Sequence, residues 1–263
     1  MPIIYGTTEA EYNALDGIRS SAINGVLKCP AKWKYAQDNP KPKPHFTLGS
    51  AVHAILLEKS RTVELIDVGD WRTVDARNRR DDALAAGKYP MNVPEFAQAQ
   101  LMAEELRQHP RVYPHLEDGR YEATITGTDE ATYAAMKARI DILNIEARTI
   151  VDLKTTASAD PDDFSSHAYR FGYHVQAAHY TAMVAQATGT DPDEWTFLFA
   201  LVEKEAPNLA HVTKLHSDFL DIGWADRREG ITRYLECVRT GVWPGYTEQV
   251  TTTIAPRYAL AAA

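Results

Sequence analysis

The tripeptide Asp152-Leu153-Lys154 is the part of the sequence best suited to chemistry. In a β-strand, residues two apart point to the same face, so Asp152 and Lys154 would lie together while Leu153 enters a core. Asp141 lies eleven residues upstream. Paired carboxylates suit a hard divalent cation, and a neighbouring lysine can stabilise charge that develops in a reaction. The alternative interpretation is an ordinary surface ion pair between Asp152 and Lys154 on an edge strand.

The residues around these acids have the composition of three consecutive strands. We predict strands over 120–127, 133–144 and 149–154, from their apolar, β-branched residues and the turn residues between them. The segment IDILNIEARTIVDLK would form a short hairpin. That hairpin would place Asp141 beside Asp152.

A third acid, Glu122, falls in the first of these strands. Tyr121, Ala123 and Ile125 alternate with Glu122 and its polar neighbours. A period of two predicts that the three apolar residues share one face, with Glu122 on the outward face.

Three polar residues lie on the helices predicted before and after the strands. His53 is on a helix over 48–58 and faces the core, where a lone histidine is usually a structural residue. Gln176 and Tyr180 are four residues apart on a long helix predicted over 161–188, so they share a face.

The remaining segments complete the organisation of the chain. We predict a helix from Ser20 that is interrupted near Pro30, further helices over 94–108 and 217–240, and strands over 194–204 and 208–216. Residues 38–47 are a proline-rich loop. Residues 60–94 are interpreted as a flexible insertion, either DNA-facing or a linker. The order of helix, three strands, helix and strand predicts one α/β (α+β) domain over 1–263, with a mixed sheet flanked by helices and a helical N-terminal part over about 1–60.

Composition excludes several classes of protein. Of 263 residues, 44% are hydrophobic and 24% charged, which is typical of a globular protein. The sequence contains no run of eighteen apolar residues, so no membrane span is predicted. The first residues lack the layout of a secretion signal. Two distant cysteines, Cys29 and Cys237, cannot hold a four-cysteine cluster. We therefore expect a cytoplasmic protein without a membrane partner.

The net charge of −8 argues mildly against binding nucleic acid through bulk positive charge. Two local basic stretches, 28–43 and 72–80, could still contact phosphates. From charge alone, a solvated face is the favoured interpretation of each.

Taken in order, these motifs resemble the PD-(D/E)XK nuclease superfamily. The order is G-x-x-x-H at 49–53, then Asp141, the D-x-K at 152–154 and Q-x-x-x-Y at 176–180. The chain is most similar to the RecE-type exonuclease VIII branch, often carried by phages, over about residues 18–246. Ile140 replaces the proline of the superfamily name.

The resemblance implies a role for each motif residue. Metal ligands are implied at His53, Asp141, Asp152 and the carbonyl of Leu153. Catalytic or supporting roles are implied at Lys154, Glu122, Gln176 and Tyr180. The implied cofactor is Mg²⁺, with Mn²⁺ as a substitute, and no iron–sulfur cluster is expected.

The same resemblance implies a function and partners. It implies an exodeoxyribonuclease that acts on linear double-stranded DNA ends from 5′ to 3′ and leaves 3′ single strands for recombination. A RecT-like single-strand annealing protein would be its partner, and a ring-shaped homo-oligomer its assembly. The alternatives are an endonuclease or a Cas4-like or restriction-type nuclease, an inactive DNA-binding module, and an unrelated metal-dependent hydrolase.

Exonucleases of this kind are expected to hold a 5′-phosphate. Arg139 lies two residues before Asp141 on one strand face, and Ser21 begins a helix whose N-terminus favours phosphate. We predict a 5′-phosphate pocket of Arg139, Ser21 and Arg19. Alternatively, Arg139 only pairs with the acids of the cluster and the serines only cap their helix.

Overall fold

The computed structural model describes residues 2–40, 48–57 and 63–254. The helices are α1 Glu9–Ala14, α2 Ser20–Lys28, α3 Pro30–Asp38, α4 Leu48–Leu57, α5 Val74–Ala85, α6 Val93–Gln108, α7 Tyr113–Asp118, α8 Pro161–Phe171, α9 Tyr173–Thr188 and α10 Ser217–Thr240. The strands are β1 Ile3–Ile4, β2 Val63–Ile66, β3 Tyr89–Asn92, β4 Arg120–Thr128, β5 Ala135–Asn144, β6 Thr149–Thr156, β7 Thr196–Glu203 and β8 Ala210–Thr213.

Six of these strands form one mixed sheet in the order β1-β4-β5-β6-β7-β8. Only the β6–β7 pair is parallel among these six strands, and α8 and α9 make the crossover between them. The prediction of an α/β domain with a mixed central sheet flanked by helices is confirmed. Because β6 lies inside the sheet, Asp152 and Lys154 do not sit on an edge strand.

Helices cover both faces of the sheet and bury two apolar cores. The first core packs α2, α9 and α10 against one face, with Ile23, Ile140 and Phe199 at its centre. The second core packs α4 and α6 against the other face, with Met102 and Leu153 among its members. Polar side chains on the central strands are therefore removed from water unless an opening reaches them.

The long helix predicted over 161–188 is two helices. Gly172 separates α8 from α9, with a φ of 74° that favours glycine. A Cβ atom on Gly172 would lie 2.3 Å from the side chain of Asn24. The periodic pattern continues through both helices, so it does not reveal the break.

The insertion predicted over 60–94 contains regular structure in its described part. Strands β2 and β3 pair in parallel and α5 connects them. The prediction of a flexible insertion did not anticipate these elements, because the strands are only four residues long and α5 is polar on most positions. Most of the predicted proline-rich loop, residues 41–47, lies outside the described residues. The division into a single domain stays a prediction.

Residues 2–19 contribute helix α1, within the predicted helical N-terminal part, and strand β1, which the sequence did not reveal. Strand β1 pairs with β4 at the sheet edge. The chain after α1 is fixed by Lys137, whose ammonium donates to the carbonyls of Tyr12 at 3.2 Å and Leu15 at 2.6 Å. No helix in the described part of the chain is long and apolar enough to cross a membrane.

Candidate active site

The β5–β6 hairpin brings Asp141 next to the D-x-K motif. The strands pair in register up to Ile142 and Val151. Beyond that pair, the Asp141 carboxylate takes the place of a backbone acceptor, because its Oδ2 accepts a hydrogen bond from the Leu153 N–H at 2.8 Å. The two strands thus separate at the acids and leave room for their side chains.

Glu122 does not lie on an outward face as predicted. It is 6% exposed, and its φ is 51°, an uncommon backbone conformation for a residue with a side chain. Tyr121 packs against the second core, whereas Ala123 and Ile125 belong to the first. The alternation therefore breaks at Glu122. A period of two in the sequence cannot predict this change of phase.

Strand β5 changes phase at Asp141 in the same way. Ala138 and Ile140 belong to the first core, but Ile142 belongs to the second. Such local departures from regular strand geometry commonly aim side chains at functional sites. Here they direct two acids on neighbouring strands towards one place.

His53 reaches the acids from α4. Its Nε2 lies 3.4 Å from Asp141 Oδ2 and 3.3 Å from the Leu153 carbonyl oxygen, and its Nδ1 lies 4.0 Å from Glu122 Oε1. Gly49, one turn earlier, lets α4 approach β6, because a Cβ there would lie 2.7 Å from Thr155 Oγ1. This contact gives the G-x-x-x-H spacing a packing reason.

These atoms fit the ligand set of a small divalent cation. Metal-binding atoms of His53, Glu122 and Asp141 lie within 4.8 Å of one another. Ligands about 2.1 Å from an octahedral Mg²⁺ lie about 3 Å apart, close to the separations of His53 Nε2 from Asp141 and the Leu153 carbonyl. Asp152 lies outside that group, and its carboxylate contacts Lys154 and Gln176.

Burial and mutual proximity shift the pKa values of this cluster. Burial raises the pKa of Asp141, and it raises that of Asp152 to about 6 despite the opposing charge of Lys154. Burial alone would lower the pKa of His53, but Asp141, Glu122 and Asp152 raise it to about 9. Perturbed titratable groups concentrated in one place are typical of functional sites.

Lys154 is held between an acid and an aromatic ring. Its ammonium forms an ion pair with Asp152, which is 1% exposed, so this is not a surface ion pair. The same ammonium lies 4.7 Å from the centre of the Tyr173 ring. Burial would lower the pKa of Lys154, but Asp152 and Asp141 raise it, so the ammonium stays charged.

Helix α9 contributes both residues of the Q-x-x-x-Y motif to the same side. The Gln176 amide donates to Asp152 Oδ1 at 2.6 Å. Tyr180 is 9% exposed, and burial raises its pKa, with Tyr12 and Asp152 adding to the effect. The structure thus brings both residues to the acids. Their roles stay predictions.

An open cavity of about 350 Å³ exposes the cluster to solvent. Arg139 lines it, and its Nε lies 2.8 Å from Glu122 Oε2. Arg139 therefore does pair with an acid of the cluster, as the alternative to the 5′-phosphate pocket requires. Neither Arg19 nor Ser21 is among the described lining residues. Arg19 is the N-cap of α2 and donates to Asn13 Oδ1 at 3.2 Å, so a serine does not cap this helix.

Sequence reasoning missed several residues at the site. The ring of Tyr173 contacts the Lys154 ammonium, and Glu9 lines the cavity from α1. Tyr173 lies three residues before Gln176, so helical spacing could have placed it on the same face. No signal marks Glu9, because its place depends on how the N-terminal segment folds back.

A comparison of the sequence with family models identifies the family. Residues 20–256 match the model described as a PDDEXK-like domain of unknown function (DUF3799). The chain belongs to this family. Its membership and the acidic site together support a nuclease that depends on a divalent metal.

Two solved structures are similar to the chain. A candidate exonuclease from Eubacterium rectale has 18% sequence identity, covers 97% of this chain and 98% of its own, and has a TM-score of 0.65, which supports the fold. The structure of SSO0001 has 9% identity, with 80% of this chain and 84% of that chain covered, and a TM-score of 0.29 too low to carry an argument. No curated protein matches the chain.

Proposed function

We propose that this protein is a Mg²⁺-dependent exodeoxyribonuclease that degrades linear double-stranded DNA, from 5′ to 3′, and leaves 3′ single strands. The observation that carries the nuclease proposal is the convergence of His53, Asp141 and the Leu153 carbonyl beside the Asp152–Lys154 pair. The E. rectale neighbour, named as an exonuclease candidate, favours attack from DNA ends.

Each polar group has a task in phosphodiester hydrolysis. A divalent cation held by His53, Asp141 and the Leu153 carbonyl, with Asp152, would lower the pKa of a water molecule and neutralise phosphate charge. Lys154 supplies a fixed positive charge for the negative charge that grows on the phosphate oxygens. Gln176 fixes the orientation of Asp152 through its hydrogen bond.

A three-arm digestion tests the proposal directly. Linear duplex labelled at one end is incubated with Mg²⁺, with EDTA, and with Mg²⁺ and the Lys154→Ala variant. We expect rapid release of short products in the first arm, none with EDTA, and release slower by about 100-fold or more with the variant. Full activity with EDTA or in Lys154→Ala would exclude the mechanism. Circular dichroism shows whether the variant is folded.

A closed circular duplex separates exonuclease from endonuclease. An exonuclease leaves the circle intact and degrades the same DNA after linearisation. Cutting of closed circles would favour the endonuclease or restriction-type alternative. A protein that binds DNA but cuts neither form would be an inactive module, although the complete set of His53, Asp141, Asp152 and Lys154 argues against decay of the site.

We further propose that Arg139 contributes to a 5′-phosphate pocket, with Ser21 and Arg19 as the predicted neighbours. Arg139 lines the cavity, and its pairing with Glu122 holds its side chain there. The Arg139→Ala variant should lose the preference for 5′-phosphorylated over 5′-hydroxyl ends. An unchanged preference would place the pocket elsewhere.

The proposed partners follow from the proposed product. A 3′ single strand needs a protein that anneals it, so we propose a RecT-like annealing protein as partner and a ring of identical subunits as the assembly. Light scattering of the purified chain tests the assembly. A cytoplasmic location accords with both proposals.

A further inference from the structure

Three aromatic rings form a near-parallel row from the core to the surface beside Lys154. Phe199 is fully buried, and its ring centre lies 5.6 Å from that of Tyr173, with 27° between the planes. Tyr173 lies 5.9 Å from Phe171, with 26° between the planes. Phe171 ends the row and is 53% exposed. The partly exposed Phe171 ring therefore contacts Tyr173, which in turn contacts Lys154.

The backbone that carries Phe171 is fixed to α2. Asn24 Nδ2 donates to the Phe171 carbonyl at 3.0 Å, and Lys28 Nζ donates to the Arg170 carbonyl at 2.6 Å. Gly172 makes the sharp turn into α9. The exposed half of the ring adds nothing to hydrophobic burial in the fold, so it is available for contact with a ligand.

The surroundings of Phe171 are cationic although the chain has a net charge of −8. The Arg170 guanidinium lies 5.9 Å from the centre of the Phe171 ring, and the His167 ring lies 6.0 Å away, edge-on. Lys28 donates to the carbonyl of the adjacent Arg170, and Lys154 lies against Tyr173, the next ring of the row. Positive charge next to exposed aromatic rings favours single-stranded nucleic acid, which offers phosphates and flat bases together.

We propose that Phe171 is a stacking platform for a nucleobase of the DNA strand next to the phosphate being cleaved. A base stacked on the exposed part of Phe171 continues the row of rings, with Arg170, which lies over the same ring, and Lys28 as the cations for the adjoining phosphates. Stacking tolerates every base, so the platform holds the strand without sequence preference. The proposal rests on the proposed nuclease function, because the row leads to Lys154.

Binding of a single-stranded oligonucleotide tests the platform without cleavage. The full chain is titrated, in EDTA, into a short DNA that carries the fluorescent base 2-aminopurine at successive positions. We expect stacking to quench one position, and Phe171→Ala to remove that quenching and weaken binding by about 5- to 100-fold. Phe171→Trp should retain both properties, because indole stacks at least as well as phenyl.

Tyr133→Ala is the matched control for loss of an exposed aromatic side chain. Tyr133 is 81% exposed, and its turn is fixed by the Asp129–Arg227 ion pair near the far end of α9. A helix of this length separates the two ends by about 24 Å. Tyr133→Ala should bind and quench as the unmodified protein does. Thermal unfolding of both alanine variants confirms that they are folded.

The outcomes separate this proposal from the nuclease proposal. If the protein degrades DNA but Phe171→Ala leaves quenching and affinity unchanged, the platform is wrong and the nuclease stands. If the unmodified chain cuts no DNA but shows position-specific quenching that Phe171→Ala removes, base stacking on Phe171 stands and the nuclease, with the place of the base beside a cleaved phosphate, is wrong. If Phe171→Ala changes only the oligomeric state, the ring belongs to a contact between copies of the chain and the platform is wrong.

Discussion

At the scale of single residues, the candidate site contains three acidic and three basic side chains. The acids are Glu122, Asp141 and Asp152, and the bases are His53, Arg139 and Lys154. With His53 protonated, the charges balance, which makes their burial tolerable without a bound ion. A divalent cation must therefore compete with the proton on His53.

Metal binding should release a proton from His53. The acids raise the pKa of His53 to about 9, and a coordinating imidazole must be neutral. Below pH 9 the metal has to displace that proton. Affinity should therefore rise with pH, about tenfold per unit, and level off near pH 9. Calorimetry in buffers of different ionisation enthalpy measures the protons released. A pH-independent affinity for Mn²⁺ between pH 6.5 and 8.5 would contradict the assignment.

Gln176 should affect turnover through the orientation of Asp152. Gln176→Ala removes the donor to Asp152 Oδ1, and we expect kcat to fall by about 10- to 100-fold, with a loss of about 1–3 kcal/mol in stability that leaves the protein folded. Gln186→Ala is the control on the same helix, because Gln186 lines a separate cavity at the other end of α9. Single-turnover digestion of linear duplex measures both. Equal rates for the two variants would show that the hydrogen bond has no part in turnover.

At the scale of elements, the site depends on where strands and helices depart from regularity. The β5–β6 hairpin and the proximity of Asp141 to the D-x-K motif could be predicted, because turn residues and alternation set the register. The inward position of Glu122 could not, since it depends on a positive φ within β4. The break at Gly172 was missed for a similar reason. Helices tolerate a single glycine, so Gly172 alone does not mark a break. The contact with Asn24, which only the folded structure shows, explains why the chain turns there.

The corner at Gly172 should be more sensitive to substitution than a comparable helix end. Gly172→Ala places a Cβ against Asn24, which must give up its hydrogen bond to Phe171, in addition to the strain of φ 74°. Gly189 ends α9 with a φ of 68° and has open space around it. Gly189→Ala should cost about 1 kcal/mol from strain alone, and Gly172→Ala about 1 kcal/mol more. Urea unfolding compares them; equal losses would mean that Asn24 adapts without cost.

At the scale of the whole molecule, buried polar groups connect the helical layers to the sheet. His179 on α9 is fully buried, and its Nε2 lies 3.0 Å from the Lys137 carbonyl oxygen on β5. Lys137 in turn holds the N-terminal segment through its ammonium. Asp129 and Arg227 form a buried ion pair at 2.9 Å that joins the β4–β5 turn to α10. A change in any of these contacts therefore affects the stability of the entire fold.

His179 should lower the free energy of unfolding in mild acid. Burial, with the charge of Arg227, lowers the pKa of His179 from 6.5 to about 4 in the folded chain. Between these values the unfolded chain binds a proton that the folded chain does not, so stability is retained above pH 6.5 and is lost as pH falls towards 4. The full loss from this group is about 3 kcal/mol. His179→Gln keeps an N–H donor for the Lys137 carbonyl but does not titrate. Urea unfolding of both proteins at pH 7.5, 6, 5 and 4.5 should therefore show a flatter acid profile for the variant, and parallel profiles would assign the acid sensitivity to other groups.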